Sequence, residues 1–199
     1  MQLDSLNKYM EENHSEAITN PFKCKGYEIW TPIDMDISAN NLVSCAEVLD
    51  ELDASYMIIF GTLLGAYRDN SLIPHDSDVD MAISYTEIDK LILALPALKN
   101  RGFDVVRYME NEIVSVGKNG DYVDFYLFKP HRGNIEILSC VEMYALVATD
   151  FICGNSIRFL GRDFPIPQNP EAFFLQYYGS DWRTPIKDLH ASPNNSQRV

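Results

Sequence analysis

The sequence is poor in positive charge. It carries 16 Lys and Arg against 29 Asp and Glu, so its formal net charge is -13 at pH 7. Proteins that grip a nucleic-acid backbone usually present a basic stripe, because their affinity comes from neutralising phosphates. The sequence shows no such stripe, which argues against a nucleic-acid partner. Chemistry on a small charged substrate would therefore need metal ions to supply local positive charge.

Long apolar runs are also missing. No segment approaches the roughly 20 apolar residues of a transmembrane helix, and the polar stretch 1–20 has no apolar signal-peptide core. None of the cysteines lies in a C-x-x-C pair, which argues against a zinc site; they are Cys24, Cys45, Cys140 and Cys153. We therefore expect a cytoplasmic protein without a transmembrane segment, in which the thiols are reduced and mostly buried.

What the sequence does contain is enough apolar material for a sizeable core, since 46% of its 199 residues are hydrophobic. We expect one α/β (α+β) domain over residues 1–188, with a helical N-terminal extension over 1–37 and a disordered tail over 189–199. Periodicity predicts helices within 1–20 and over 39–52, 62–68, 86–100 and 170–178. It predicts strands over 56–60, 78–83, 103–108, 112–117 and 122–128, and short strands over 135–138 and 156–160. Turn and breaker residues predict an irregular lead-in over 21–37, a loop over 69–77, a cap of helix 39–52 at Ser38 or Asn40, a kink or stop at Pro96, and a turn at Asn119-Gly120.

Two acidic residues alternate with an apolar residue in the segment Asp78-Val79-Asp80. Strand alternation places Asp78 and Asp80 on one face and Val79 on the other. Mg²⁺ prefers oxygen ligands at about 2.0–2.1 Å and commonly takes one or two protein carboxylates plus substrate phosphates. The pair is therefore a candidate metal site, although acids on strand edges are usually just solvated.

A third acid, Asp124, lies between Val123 and Phe125 in a strand that should be buried. A buried carboxylate needs a partner or a metal. If this strand lies beside strand 78–83, the three carboxylates converge. The alternative is a hairpin residue whose carboxylate is satisfied by backbone amides.

A Gly-Thr pair, Gly61-Thr62, follows the predicted strand 56–60. Gly61 lets the backbone approach a phosphate, and the amides at the start of the following helix can donate to it. Arg68, near the end of that helix, could hold a phosphate through two parallel hydrogen bonds. Alone, such a pair indicates only a turn. The ordered set of strand, Gly-Thr, helix, loop, Asp-x-Asp and later isolated Asp is specific, and it favours a functional site.

At these residues the sequence resembles the LicD family, which includes fukutin and fukutin-related protein. The resemblance covers about residues 60–185 with a poorly matching middle. It is carried by Gly61-Thr62-Leu63-Leu64-Gly65, Arg68, Ile73-Pro74, Asp76 and Asp78-Val79-Asp80, and later by Phe164-Pro165-Ile166-Pro167, Glu171, Tyr178-Gly179-Ser180-Asp181-Trp182 and Pro185. It implies a polymerase-β-like nucleotidyltransferase fold, with a mixed β-sheet flanked by helices. It also implies transfer of a phospho-substituent, such as phosphocholine or phosphoribitol, from a CDP-linked donor to a glycan hydroxyl.

The resemblance also assigns roles to residues. Asp78 and Asp80 match the family's metal-binding pair, and Asp124 matches its third acid by position and context. We expect these three to be catalytic and to hold two Mg²⁺ ions in a two-metal mechanism, with Mn²⁺ as the alternative ion. The candidate substrate-binding residues are Gly61, Thr62, Arg68, His75, Asp76 and Trp182.

Some positions depart from the family or allow more than one interpretation. His75 stands where the family often has an aromatic residue, and Ser77 where another acid is frequent; the cysteine cluster of some animal members is also missing. These departures leave the metal residues intact and the donor and acceptor open. His75 is a phosphate ligand, a general base or a turn-capping residue. Two interpretations are open for Trp182, which either lines the cleft or fills space in the core. Two are also open for the many tyrosines, which either form a site for a quaternary ammonium group or belong to the core.

Three other functions remain open. A nucleotidyltransferase would add a nucleotidyl group to a small molecule, and the metal triad alone permits that outcome. A glycosyltransferase also uses Asp-x-Asp, but it predicts an N-terminal glycine-rich βαβ unit, which the residues before Tyr56 do not show. A non-catalytic nucleotide-binding module would be favoured by loss of a metal acid, yet all three acids are present.

Overall fold

The chain folds into helices and strands that follow one another closely. The computed structural model describes residues 2–17, 24–28, 31–131, 134–138, 143–147 and 153–185. Its helices are α1 (Gln2–Asn13), α2 (Met35–Glu51), α3 (Phe60–Asp69), α4 (Ile88–Asn100) and α5 (Pro170–Tyr178), with a 3₁₀ turn at Tyr85–Glu87. Its strands are β1 (Tyr56–Ile58), β2 (Val79–Ser84), β3 (Asp104–Met109), β4 (Ile113–Lys118), β5 (Asp121–His131), β6 (Asn134–Leu138), β7 (Met143–Val147), β8 (Cys153–Phe159) and β9 (Arg162–Pro167).

Seven of these strands form one mixed sheet. The order is β1–β2–β5–β4–β3, and β6 and β7 extend the sheet from β5. Strands β2 and β5 run parallel, whereas the other described neighbours in this sheet are antiparallel. Strands β8 and β9 pair separately as an antiparallel hairpin. The predicted mixed sheet flanked by helices is therefore confirmed.

The two faces of the sheet differ in what covers them. Along β5, Val123 and Phe125 are fully buried on the face against which α2 packs. Helix α4 contacts α2, and α1 lies on α4, where it buries Leu6 and Met10. Because side chains alternate along a strand, Asp124 faces the opposite side. The helical layer thus covers one face and leaves the other for the candidate site.

Two element boundaries near the site differ from the prediction. Helix α2 begins at Met35, because the Asp34 carboxylate accepts hydrogen bonds from the amides of residues 36 and 37 at 3.0 and 3.1 Å. The predicted caps, Ser38 and Asn40, were therefore wrong. Strand β1 ends at Ile58, and Phe60 begins α3 with a left-handed backbone, φ 48°. Gly61-Thr62 consequently lies in the first turn of α3.

Other local predictions can be compared with the structure. The Asn119-Gly120 turn is confirmed, with φ of 58° and 104°, as is helix α5 with Asn169 as its cap. Helix α4 continues through Pro96 to Asn100, so proline does not stop it. Strands β7 and β9 were not predicted. Residues 18–23 and the tail 189–199 lie outside the described residues.

The described part of the chain contains no helix with both the length and the apolarity needed to cross a membrane. The thiols of Cys24 and Cys45 are free and buried, as the sequence predicts. The cytoplasmic location and the domain limits stay predictions.

Candidate active site

Four polar side chains form a row across four neighbouring strands. Arg107 on β3 is the register partner of Ser115 on β4, and Ser115 is the partner of Asp124 on β5. Asp124 is in turn the partner of Asp80 on β2. Register partners project to the same face of a sheet. All four are buried.

A β-bulge in β3 places Arg107 in this row. The register between β3 and β4 shifts between Val105 and Arg107, so an extra residue interrupts the regular alternation. As a result Val106 and Arg107 are both buried, and Val106 packs with Tyr122, which shares the face of Asp124. Such a bulge re-aims a side chain, and here it turns a cation towards the acids.

The acids of the predicted triad lie together. Asp78, Asp80 and Asp124 each offer a carboxylate oxygen, and these oxygens lie within 4.8 Å of one another. Asp78 is half-buried, whereas Asp80 is 6% exposed and Asp124 is inaccessible. Clustered carboxylate oxygens are the donor set that a hard divalent cation takes. The residues therefore fit a divalent metal ion, while their catalytic role stays a prediction.

Thr62 links the Gly-Thr turn to the Asp-x-Asp strand. Its hydroxyl accepts a hydrogen bond of 2.8 Å from the backbone amide of Asp80, and its side chain is 2% exposed. The Ile59 amide donates to the Asp80 carbonyl at 3.3 Å. The structure therefore uses the predicted substrate residue Thr62 to hold Asp80 in place.

Both oxygens of Asp124 are engaged. The Ser115 hydroxyl donates to Oδ1, and Nη2 of Arg107 donates to Oδ2. Arg107 also donates from Nε to the Ser115 hydroxyl at 2.9 Å, and its guanidinium lies 5.7 Å from the centroid of the Tyr122 ring. A hydrogen-bonded triangle thus fixes the rotamer of Asp124.

For the other two acids of the cluster, burial and like charges outweigh the compensation, which comes from the charge of Arg107 for Asp78 and from a backbone hydrogen bond of Thr62 for Asp80. Burial first, and then the charges of Asp124 and Asp76, raise the pKa of Asp78 well above its ordinary value. Burial, followed by the charges of Asp78 and Asp124, raises the pKa of Asp80 in the same way. A divalent cation at this position would oppose that effect, because a bound cation favours ionised carboxylates.

Asp76 lies directly over Gly61. A Cβ atom on Gly61 would be 2.2 Å from Oδ2 of Asp76, so a larger residue would force this carboxylate to move. Burial raises the pKa of Asp76 to about 6, although the charges of His75 and Arg68 oppose that increase. The open side of Gly61, which we expected to face phosphate, is occupied by this carboxylate in the structure.

The side chain of Arg68 contacts the backbone of Trp182. Arg68 donates from Nε to the carboxylate of Asp69 at 2.8 Å and from Nη1 to the carbonyl of Trp182 at 3.4 Å. The Trp182 ring is 6% exposed and packs on Phe174 with centroids 4.7 Å apart. This packing agrees with the core-plug interpretation of Trp182. Phosphate binding by Arg68 stays a prediction.

Aromatic side chains border the carboxylates. Phe60 packs against Tyr126 and Tyr177, with centroids 4.9 Å apart in each case. Burial and then the charge of Asp80 raise the pKa values of Tyr126 and Tyr178 well above the ordinary phenol value. Both phenols are thus within electrostatic reach of the acids, and the tyrosines form a wall of the site as well as part of the core.

A cavity of about 240 Å³ is lined by residues that neighbour the cluster in the chain. Its lining includes Tyr27, Glu28, Ser77 and Tyr122. Ser77 directly precedes Asp78, and the charges of Asp78 and Asp124 contribute to the raised pKa of Tyr122 after burial. The cavity therefore adjoins the carboxylates.

Sequence reasoning missed Arg107 and Ser115. The available signal was a lone basic residue, Arg107, within the otherwise largely apolar segment Val105-Val106-Arg107-Tyr108. A buried cation needs an anion just as the buried acid Asp124 needs a partner. Pairing the two would have required the order and register of β3, β4 and β5.

The chain was compared with protein families and with curated proteins. Residues 53–169 match the family model described as LicD/FKTN/FKRP, nucleotidyltransferase domain. The chain is 25% identical to the ribitol-5-phosphate transferase FKTN of Mus musculus, and 24% identical to that of Homo sapiens, over 205 aligned residues each. Each alignment covers 96% of this chain but 40% of the relative, so the chain spans well under half of their length.

Solved structures show the same fold. The lincosamide antibiotic adenylyltransferase LnuA, in its lincomycin-bound form, matches with a TM-score of 0.53 at 12% identity, over 80% of this chain and 96% of that one. The solution structure of the antibiotic-resistance factor ANT(2'')-Ia matches with a TM-score of 0.54 at 14% identity, over 83% of each chain. The polymerase-β-like nucleotidyltransferase fold expected from the sequence is therefore confirmed.

Proposed function

This chain belongs to the LicD/FKTN/FKRP nucleotidyltransferase-domain family, and from that premise we propose that it is a Mg²⁺-dependent transferase of a phospho-substituent. The donor is a CDP-linked small molecule that carries a phospho-polyol or a phosphocholine-like group, and the acceptor is a glycan hydroxyl. Because the similar curated proteins are named ribitol-5-phosphate transferases, the phospho-polyol is the favoured group. Mn²⁺ is the alternative ion.

The observation that supports this proposal is the convergence of three carboxylate oxygens within 4.8 Å. Asp78, Asp80 and Asp124 would hold the divalent ions. Bound there, two ions would polarise the donor phosphate and clamp the attacking and leaving oxygens in line.

The surrounding residues prepare this cluster for the reaction. Thr62 holds the backbone of Asp80, and Ser115 and Arg107 hold the carboxylate of Asp124. Asp76 lies over Gly61 in the first turn of α3, where helix amides favour a donor phosphate. The charges of His75 and Arg68 act on this carboxylate. The cavity that Tyr27 and Tyr122 help to line would take the acceptor, because sugar rings pack well on aromatic faces.

The test is a product analysis with a panel of CDP-linked donors, Mg²⁺ and acceptor glycans. We expect release of CMP and an acceptor mass increase equal to the phospho-substituent. An increase equal to a cytidylyl group would instead support the nucleotidyltransferase alternative. Asp163→Asn is a matched control, because Asp163 is exposed and pairs with Arg158 in the β8–β9 hairpin, which is separate from the sheet that carries the cluster.

A further inference from the structure

A short segment ahead of α2, residues 24–28, lies on the face of the sheet that carries Asp124. The backbone amide of Lys25 donates to the carbonyl of Val106 in the β3 bulge at 2.8 Å. Val106 packs with Tyr122, and side chains of the segment belong to the same apolar cluster. Because Tyr122 and Asp124 are two residues apart on β5, they project to the same face. The segment therefore packs on the face of the carboxylates and not in the helical layer.

The ring of Tyr27 lies on a glycine of β4. A Cβ atom at Gly117 would be 2.4 Å from Cζ of Tyr27 and 2.7 Å from its hydroxyl oxygen. Gly117 is the register partner of Tyr122, and the Tyr122 ring meets the Tyr27 ring edge-on, with centroids 6.1 Å apart. Gly117 therefore makes room for the Tyr27 ring, and Tyr122 packs against it.

The same segment supplies part of the lining of the cavity of about 240 Å³. Tyr27 and Glu28 come from the segment, whereas Asp121 and Tyr122 begin β5. Tyr27 is half-buried, and Glu28 is exposed. Ligand sites commonly combine aromatic side chains with a few polar groups that orient the ligand. A sugar fits this combination, because its ring can stack on an aromatic face while its hydroxyl groups donate to a carboxylate.

The charges of the lining have one sign. Among the described lining residues the charged side chains are two acids, Glu28 and Asp121. Two lysines that neighbour lining residues in the chain are engaged elsewhere. Lys25 forms an ion pair outside the lining, and Nζ of Lys118 lies 5.1 Å from the ring centroid of Phe103. A negative sugar placed in the cavity would therefore meet like charges.

The positive charges nearby are directed at other groups. The guanidinium of Arg107 lies 5.7 Å from the centroid of the Tyr122 ring, but it is paired with Asp124. Divalent ions held by the carboxylate cluster would face the donor phosphates. The charges of Glu28 and Asp121 remain, so this part of the cavity should repel an anionic ligand.

We propose that Tyr27 and Glu28 determine the specificity of the acceptor subsite. The ring of Tyr27, seated on Gly117, stacks on a sugar ring, and Glu28 accepts hydrogen bonds from its hydroxyl groups. Together with Asp121, Glu28 selects an uncharged sugar over one that carries a carboxylate or a phosphate. This inference deepens the transferase function proposed above and rests on it for the place of the subsite in the reaction.

The first experiment measures sugar binding to the full chain by ligand-observed NMR, with Mg²⁺ and CDP present. The probes are neutral oligosaccharides of glucose, galactose and N-acetylhexosamines. We expect Tyr27→Ala to weaken binding of the best probe at least about tenfold, as loss of a central aromatic contact does. Tyr27→Phe keeps the ring and should stay within about twofold of wild type. A folded Tyr27→Ala with wild-type affinity would overturn the inference.

Gly117→Ala tests the seat of the ring without changing a lining residue. The new Cβ displaces Tyr27, so we expect a loss of affinity similar to that of Tyr27→Ala. In a Tyr27→Ala background the same alanine should have no further effect on binding. Equal effects of Gly117→Ala in both backgrounds would show that the ring is not held by this contact, and would overturn that part of the inference.

The second experiment compares each neutral probe with its counterpart in which C6 is oxidised to a carboxylate. At low salt, wild type should bind the neutral sugar at least about tenfold more tightly, and added salt should reduce this preference. Glu28→Gln should reduce the preference at least about threefold. Asp163→Asn, which removes a charge in the β8–β9 hairpin, is the matched control. A wild-type preference for the acidic sugars would overturn the inference, and it needs no variant to fold.

Release of CMP from CDP-linked donors is measured separately. Metal-dependent release by a protein that binds none of the oligosaccharides would overturn the inference and leave the transferase function standing. Tyr27-dependent binding of neutral sugars without release from any donor would support the subsite and contradict the transferase function. The two failures are therefore distinguishable.

Discussion

Asp80 and Asp124 are register partners in the parallel pair of β2 and β5, so two buried carboxylates leave the sheet side by side. Their environments are opposite. Asp124 pairs with Arg107, whereas no cationic side chain among the described residues pairs with Asp80. Burial and neighbouring acids therefore raise the pKa of Asp80. The carboxylate of Asp124 is therefore stabilised by its surroundings, whereas that of Asp80 is not.

This asymmetry predicts opposite stability effects for the same substitution. In EDTA, Asp80→Asn should stabilise the metal-free protein by about 1 kcal/mol, because it removes one repelling charge from the cluster. Asp124→Asn should destabilise it by about 3–5 kcal/mol, because Arg107 is left buried without its anion. Urea unfolding with EDTA measures both values.

Turnover should fall in both variants. Replacing a residue that only orients a metal ligand costs about 10–100-fold, so loss of a ligand should cost at least about 100-fold. Asp163→Asn should keep both stability and turnover. Near-normal turnover in Asp124→Asn would show that the triad assignment is wrong, and a destabilised Asp80→Asn would contradict the repulsion argument.

The pH dependence of the metal-free protein provides another test. Burial raises the pKa of Asp76 to about 6 from an ordinary value of 3.8, so the folded state binds more protons than the unfolded state between these values. The stability that Asp76 contributes is therefore present below about pH 4 and lost as the pH rises through about 6. The increase in the pKa of Asp76 corresponds to a change of at most about 3 kcal/mol in the free energy of unfolding.

The measurement compares wild type with Asp76→Asn by thermal unfolding in EDTA between pH 4 and pH 7.5. Their stability difference isolates Asp76 from the other carboxylates. We expect the stability of Asp76→Asn to increase relative to that of wild type as the pH rises. A difference that does not change with pH would show that Asp76 is not perturbed by its surroundings.

Arg68 should affect donor use more than the chemical step. Arg68→Lys keeps the charge but loses the planar fork that contacts Asp69 and the Trp182 carbonyl. We expect about a tenfold higher KM for the CDP-linked donor, with a smaller change in kcat. Arg183→Lys is the control, because Arg183 is exposed and stacks on the outside of the Trp182 ring at 4.0 Å. Unchanged kinetics in Arg68→Lys would assign Arg68 a structural role.

The acids of the site were predictable because each breaks a local pattern. Asp124 is polar between buried neighbours, and Asp78 and Asp80 alternate with Val79. The cation was not predictable in the same way. Arg107 reaches Asp124 only because β4 lies between their strands and because a bulge re-aims its side chain. Both features belong to tertiary pairing, which a single sequence does not display.

Two element errors have equally local causes. The start of α2 was placed too late because Asp34 caps it four residues before the predicted Ser38. Strand β9 was missed because Pro165 and Pro167 lie within it, and proline usually argues against a strand. Proline is tolerated here because β9 belongs to a two-stranded sheet, in which β8 pairs with only one of its edges.

The contact between Gly61 and Asp76 predicts a coupling between two substitutions. In Gly61→Ala, the new Cβ would lie 2.2 Å from Oδ2 of Asp76, so the carboxylate must move and we expect a loss of about 1–3 kcal/mol. Asp76→Ala removes that carboxylate and opens the space. In the double variant the alanine at position 61 should therefore cost much less stability than in the wild-type background, and the two effects should be non-additive by at least about 1 kcal/mol.

Urea unfolding of the four proteins measures this coupling, with EDTA present so that metal binding does not contribute. Additive effects would show that the α3 turn adjusts without disturbing Asp76. A coupled pair would establish that glycine is required at this turn by an acid of the site, and not only by a phosphate of the substrate.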